Sequence, residues 1–253
     1  MSTMTDPPAR ILVVDDEVDT CANLSDILSE LGYQVDVAYD GRSALELVER
    51  TCYDVALLDL KMPGMDGLEL YRRIKALRAG TVAIVVTAYA SGQTAQEALT
   101  AGAWRILAKP LDFPQLLKLV DEAIEQPLVL VVDDDRELCD TLWDLFRERG
   151  YRVSIAHDAP QAQEQLHRIA FQVVLIDMKL PEGDGAQVFR MVREANPRAR
   201  TVLITGLRGE TEQLVQQMLA EGADAACYKP FDVEKLLRIL QSLTRQKEMG
   251  DGR

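Results

Sequence analysis

Val55-Ala56-Leu57-Leu58-Asp59-Leu60-Lys61-Met62-Pro63-Gly64-Met65-Asp66-Gly67 is an apolar run that stops on a carboxylate and turns through proline and glycine. A close copy returns from Val173 to Gly185. Short runs of Val, Ala and Leu without polar alternation are the pattern of a strand buried on both faces, so Asp59 falls where such a strand emerges at its carboxyl end. In open parallel sheets, that edge is where ligands bind. Asp is also a common turn residue, and this stretch alone leaves a turn-capping role open.

Outward from it, strand and helix patterns alternate. Residues 11–14 form a β-branched run closing on Asp15-Asp16, and Val18, Cys21, Ala22, Leu24, Ile27, Leu28 and Leu31 then recur at helical spacing up to Gly32. Further strands are predicted over 34–38, 55–59, 82–87 and 105–109, with helices over 43–50, 65–77, 93–101 and 113–125. Such alternation means a parallel sheet covered on both faces. Pro127 stops the fifth helix, and Leu128-Val129-Leu130-Val131-Val132-Asp133-Asp134 begins the pattern again.

The repeat extends to single residues. Asp15, Asp16, Cys21, Gly32, Tyr33, Asp59, Pro63, Asp66, Gly67 and Thr87 recur 118 positions later as Asp133, Asp134, Cys139, Gly150, Tyr151, Asp177, Pro181, Asp184, Gly185 and Thr205. Two residues inserted between Thr205 and Gly222 move the counterpart of Lys109-Pro110 to Lys229-Pro230. Internal duplication therefore predicts two domains, 1–126 and 127–246, with a flexible tail over 247–253.

Composition narrows the function. At 47% hydrophobic residues each half can build a core without disulfides. A formal net charge of -13 argues against direct nucleic-acid binding and for a cation or a basic partner. Cys21, Cys52, Cys139 and Cys227 show no CxxC pairing, so they are read as reduced and partly buried, without zinc. No basic start precedes an apolar core and no run is long enough to span a bilayer, so a cytoplasmic protein without a membrane partner is expected.

In a doubly wound sheet the ends of strands one, three, four and five converge, bringing together Asp15, Asp16, Asp59, Thr87 and Lys109. Like charges about 4 Å apart repel by roughly 4 kcal/mol at an effective dielectric near 20, so a bare acid cluster stabilises a fold poorly. A bound cation removes the difficulty, and all-oxygen ligands with open positions suit Mg2+. Charge then assigns roles. Asp59 is the nucleophile, Asp15 and Asp16 hold the metal, Lys109 pairs with a phosphoryl group and Thr87 donates to it. Singly, each residue has a bland reading as a cap, a surface lysine or a strand threonine. All five recur at matching positions in the second half, and those readings fail jointly.

These residues, in this order and with the Met62-Pro63-x-x-Asp66-Gly67 and Lys109-Pro110 signatures, closely resemble the receiver domain of two-component response regulators. The resemblance covers nearly the whole chain, twice. It implies two tandem flavodoxin-like (βα)5 doubly wound parallel-sheet domains that take phosphoryl groups onto Asp59 and Asp177 from a histidine kinase or a histidine phosphotransfer protein. It further implies Mg2+ held by Asp16, Asp59 and the backbone carbonyl of Lys61, with Asp15 acting through water. In the second copy the corresponding residues are Asp134, Asp177, Lys179 and Asp133, with Thr205 and Lys229 beside them. Catalysis would extend to autophosphorylation and autodephosphorylation, with no separate catalytic domain. Output would be phosphorylation-dependent contact with a downstream protein, or dimerisation through the face of helix four, strand five and helix five. Cis peptides are implied at Lys109-Pro110 and Lys229-Pro230.

The chain departs from that pattern in places. Ile106 and Ala226 stand where many receivers carry Tyr or Phe, so the familiar aromatic readout is in doubt, and Tyr228 is read as lying on a different face from Ala226. Tyr89 and Leu207 are placed to restrict water at the acyl phosphate, which predicts different phosphoryl lifetimes in the two domains. The side chains of Lys61 and Lys179, like His157 and His167, are read as solvated. Other functions fit less well. A flavin or nucleotide binder needs a glycine-rich cradle where Asp15-Asp16-Glu17 stands. A haloacid-dehalogenase-like phosphatase needs Asp-x-Asp there. A regulatory fragment of a larger cyclase, hybrid kinase or DNA-binding regulator, with one receiver as adaptor, remains the alternative.

Overall fold

The computed structural model describes residues 8–88, 90, 93–180, 185–206, 212–230 and 232–245. Pro181, Asp184, Tyr89, Leu207 and the tail over 247–253, all singled out above, lie outside the described residues. The chain divides into two compact units, Met1–Gln126 and Pro127–Arg253.

In the first unit β1 (Arg10–Val14), α1 (Val18–Glu30), β2 (Gln34–Ala38), α2 (Gly41–Arg50), β3 (Val55–Leu58), α3 (Gly67–Leu77), β4 (Val82–Thr87), α4 (Gln93–Ala101), β5 (Arg105–Ala108) and α5 (Phe113–Glu125) alternate. The second repeats them as β6 (Leu128–Val132), α6 (Arg136–Glu148), β7 (Arg152–Ala156), α7 (Ala159–Arg168), β8 (Val173–Asp177), α8 (Gly185–Ala195), β9 (Arg200–Thr205), α9 (Glu212–Ala220), β10 (Ala225–Tyr228) and α10 (Val233–Arg245). The first sheet runs β2-β1-β3-β4-β5 and the second, in the same sense, β7-β6-β8-β9-β10. All strand pairs are parallel. That order is the doubly wound flavodoxin-like arrangement, whose switch point lies between β1 and β3.

Strand alternation distributes the core. Leu12, Val14, Ala56, Leu58 and Val85 pack with Ala44, Val48, Leu70, Ile74 and Ala98 on the side of α2, α3 and α4. Ile11, Val13, Val55, Leu57 and Ile84 pack with Cys21, Leu24, Leu28, Leu116 and Val120 on the side of α1 and α5. Because both faces are covered, the central strands carry apolar residues at consecutive positions, which is why they read as unbroken runs.

Two helices begin elsewhere than periodicity suggests. Asp40 accepts from the Arg42 and Ser43 amides, so α2 starts at Gly41 and not at 43. Asp66 accepts from the Glu69 amide, so α3 starts at Gly67 and Met65 stays in the preceding loop. There Met65 fills the space that a side chain at residue 41 would need. A Cβ on Gly41 would lie 2.8 Å from its Sδ and 2.9 Å from its Cβ.

Thr201 on β9 is fully buried, yet among the described residues its Oγ1 has no hydrogen-bond partner. Its counterpart in the first unit is Ala83. Thr201→Val keeps the shape and removes the unpaired hydroxyl, so it should raise stability by about 1 kcal/mol in urea unfolding. Among the described residues no helix is long and apolar enough to cross a membrane.

Candidate functional site

In each unit the chain turns sharply after the strands that flank the switch point, and the turns deliver acids to one edge. The Asp15 amide donates to the Ala38 carbonyl and the Asp59 amide to the Val14 carbonyl, tying the ends of β1, β2 and β3 together. Asp15 (2% exposed) and Asp59 (8%) are buried, whereas Asp16 is exposed. Ligand oxygens of the three carboxylates lie within 4.8 Å of one another, and those of Asp133, Asp134 and Asp177 do so in the second unit.

β4 and β5 bring the other two groups. Thr87 and Thr205 are buried at the carboxyl ends of β4 and β9. Their carbonyls accept from the Lys109 and Lys229 amides at 2.9 and 2.7 Å, which sets each lysine beside its threonine. Lys109-Pro110 and Lys229-Pro230 are both cis. Lys229 Nζ is 2.7 Å from Asp133 and 2.7 Å from Asp177. Lys109 Nζ is 2.7 Å from Asp15 but 3.5 Å from Asp59, and it also lies 3.5 Å from Glu17. In each unit the three aspartates and the lysine thus meet, and the threonine stands buried at the end of the strand next to the lysine. The side chains of Lys61 and Lys179 are exposed, as expected, and the Lys179 amide donates to Asp177 Oδ1 at 3.0 Å.

The electrostatics follow from burial. Desolvation pushes the Asp59 carboxyl above its ordinary value, and the Lys109 charge only partly offsets it while Asp15 adds to the rise. Asp133 is likewise pushed up by burial, against the pull of Lys229 and the Asp135 amide. Burial by itself lowers a lysine, but the hydrogen bond to Asp15 and the surrounding carboxylates hold Lys109 above its ordinary value. The same balance, with Asp133 and Asp177, raises Lys229. One ammonium facing three carboxylates leaves each cluster short of positive charge. An all-oxygen donor set in that condition fits a hard divalent cation such as Mg2+.

Four contacts were not evident in the sequence. Buried Cys21 and Cys139 donate to the carbonyls of Asp15 and Asp133 at 3.3 Å, and burial pushes their thiols up to about 11 and about 12. They fasten the acid-bearing turn, a role their recurrence could have suggested. His157, read as a surface residue, is half-buried with Nδ1 3.1 Å from the Asp133 carbonyl oxygen, whereas His167 is exposed. Glu17, overlooked beside the acid pair, reaches Lys109. All four cysteines are free.

The aromatic departures also take physical form. Ile106 and Ala226, both half-buried, pack against the cores on the α2–α4 and α7–α9 sides. Tyr228 corrects the expectation stated above. Residues two apart on a strand share a face, so it projects on the same side as Ala226. Its hydroxyl donates to the Glu212 carboxylate of α9, with oxygen distances of 3.0 and 3.2 Å.

Known proteins share this arrangement. The family model for the response regulator receiver domain matches residues 11–121 and again 129–241. A response regulator receiver protein of Anaeromyxobacter sp. (strain Fw109-5) is 32% identical over 238 residues, which cover 94% of this chain and 96% of that protein. The transcriptional regulatory protein ZraR of Escherichia coli (strain K12) is 42% identical over 121 residues, 48% of this chain and 27% of ZraR. Among solved structures, a CheY-like receiver domain protein from Methanospirillum hungatei JF-1 shares 35% identity at a TM-score of 0.46, covering 47% of this chain and 94% of that one. Each family match encloses one five-stranded sheet and one acid–threonine–lysine cluster, and the chain belongs to the response regulator receiver family, with two receiver domains in tandem.

Proposed function

We propose that the chain is a tandem-receiver response regulator in a two-component phosphorelay, accepting phosphoryl groups on Asp59 and Asp177. The observation that carries this reading is the doubled site, in which a buried carboxylate at the end of the central strand meets two further acids and a lysine, with a buried threonine at the end of the neighbouring strand. The match over 94% of this chain to one Anaeromyxobacter receiver protein supports treating residues 1–126 and 127–246 as two receivers that act within one regulator.

A carboxylate oxygen of Asp59 attacks phosphorus in line while the phosphorus–nitrogen bond of a phosphohistidine breaks, and the electron pair leaves with the imidazole. Lys109 pairs with a phosphoryl oxygen and Thr87 donates a hydrogen bond to another. Asp177, Lys229 and Thr205 do the same in the second receiver. Receiver domains generally bind Mg2+ at an acidic pocket, and bound Mg2+ supplies charge neutralisation of the phosphoryl oxygens. Asp16, Asp59 and the Lys61 carbonyl would hold it here, with Asp15 acting through water. Asp134, Asp177, Lys179 and Asp133 are their counterparts. The donor is a histidine kinase or histidine phosphotransfer protein. The phosphoryl group biases the loops after β3 and β4 and the α4–β5–α5 face toward contact with a downstream protein or a second copy.

Incubation with acetyl phosphate and Mg2+, followed by site mapping of the acyl phosphate, tests this. Label is expected on both Asp59 and Asp177 in the wild type, on Asp177 alone in Asp59→Asn, on Asp59 alone in Asp177→Asn, and nowhere in the double variant. Absence of label on the wild type with acetyl phosphate and with a phosphohistidine donor would overturn the proposal.

A further inference from the structure

The two sites carry the same acids, threonine and lysine, and one difference between them lies directly beside the acid pair. Glu17 and Asp135 occupy the same position, and the backbone around them is alike. Each donates its amide to the preceding buried aspartate, Asp15 Oδ1 or Asp133 Oδ1, at 3.0 Å. The side chains then diverge. Asp135 is short enough to bend back and accept the Leu138 amide at 3.1 Å, capping α6. Glu17 makes no cap bond to α1. Its carboxylate accepts from Thr20 Oγ1 at 2.9 Å and stands 3.5 Å from Lys109 Nζ.

The lysines differ to match. Where the neighbour turns away, Lys229 lies 2.7 Å from both Asp133 and Asp177. Where it does not, Lys109 keeps its 2.7 Å contact with Asp15 but stands 3.5 Å from Asp59. An ammonium has three protons and no fixed fork, so it settles among the anions around it. We propose that Glu17 is a positioning residue that draws the Lys109 ammonium away from Asp59 and so slows phosphoryl transfer to the first receiver relative to the second.

This inference rests on the reading of Asp59 and Asp177 as phosphoacceptors. The lysine acts by meeting negative charge on the transferring phosphoryl group, and only interactions stronger in the transition state than in the ground state accelerate a reaction. Glu17 holds part of that charge in the ground state, and its grip must loosen as Lys109 moves to the phosphoryl oxygens. Asp135 makes no such claim on Lys229. A two-receiver chain can thereby fill its two sites at different speeds from one donor, with the difference encoded outside the residues that perform the transfer.

The test uses the full chain with acetyl phosphate and Mg2+ as the phosphodonor. The Asp177→Asn background reports on Asp59 alone, and the Asp59→Asn background on Asp177 alone. In the first, Glu17→Gln and Glu17→Asp should each raise the initial labelling rate about threefold, the scale of effect expected from an exposed charge pair. In the second, Asp135→Glu should lower it by a similar factor. The gap between Glu17→Gln and its parent should close as salt is raised, because Glu17 is 65% exposed and its attraction is screened. A purely structural role for Glu17 would not respond to salt in this way. Labelling of Asp59 at an unchanged or lower rate in Glu17→Gln overturns the inference. Absence of label in both backgrounds overturns instead the phosphoacceptor reading on which it rests.

Discussion

Gly67→Ala should cost the first receiver about 3 kcal/mol or more of stability and most of its Asp59 phosphorylation, with the second receiver's label retained. The amide of Gly67 donates to the Leu60 carbonyl at 3.0 Å, so the first turn of α3 rests directly on the chain leaving β3. A Cβ at residue 67 would lie 2.0 Å from the Asp59 carbonyl oxygen and 2.9 Å from its carbonyl carbon. Both are backbone atoms, so no side-chain rotation relieves the overlap. Either α3 lifts away or the peptide of Asp59 rotates, and in both cases the carboxylate leaves its place beside Lys109. Gly185→Ala should act alike on the second receiver but less severely, since its closest approach is 2.5 Å to the Asp177 carbonyl oxygen. Urea unfolding together with site-resolved labelling measures both effects. Wild-type stability in Gly67→Ala would show that the contact is easily relieved.

The second large effect concerns charge. Lys229→Met leaves Asp133 (0% exposed) and Asp177 (5%) buried without their shared cation. Breaking a buried ion pair from one side costs about 3–5 kcal/mol, and that loss is expected in metal-free buffer. Saturating Mg2+ should recover a large part, because a ligand that binds the folded state alone stabilises it. Lys109→Met should cost less, since Lys109 approaches Asp59 less closely. A pH series gives an independent check. Burial already raises Asp133 and Lys229 holds it down, so removing Lys229 lets it rise further. A carboxyl whose folded pKa exceeds its unfolded value, about 4, binds protons more tightly when folded. Stability then falls as pH rises from the unfolded value through the folded one. The deficit of Lys229→Met against wild type should therefore shrink on acidification and be greatest near neutrality. A deficit independent of pH would mean that Asp133 bears no such penalty.

Much of this was written plainly in the chain. The fold was legible because both faces of each sheet are covered, which turns central strands into unbroken apolar runs, and because the second unit repeats the first. The clusters were legible because Asp15, Asp59, Thr87 and Lys109 all sit at strand ends, where topology alone decides who meets whom. What escaped depends on rotamers. Glu17 and Asp135 look interchangeable in a sequence, yet one methylene sends one carboxylate to a lysine and the other to a helix cap. His157 follows β7, and only the turn's path shows its ring meeting the Asp133 carbonyl. Apolar spacing misses the starts of α2 and α3 because capping aspartates determine where those helices begin.

The fit of Met65 against Gly41 bears on how duplicated halves drift apart. At the corresponding positions the second half has Ala159 and Gly183, so bulk has been redistributed between two sites rather than lost or gained at one. With Met65 in the space above residue 41, alanine there is not a free exchange, because its Cβ would meet sulfur at 2.8 Å. The two residues therefore have to change together. Genetic exchange between the repeats with a breakpoint between these positions can join the methionine of one lineage to the alanine of the other. A chimaera that pairs Met65 with alanine at 41 should therefore be less stable than either parent arrangement.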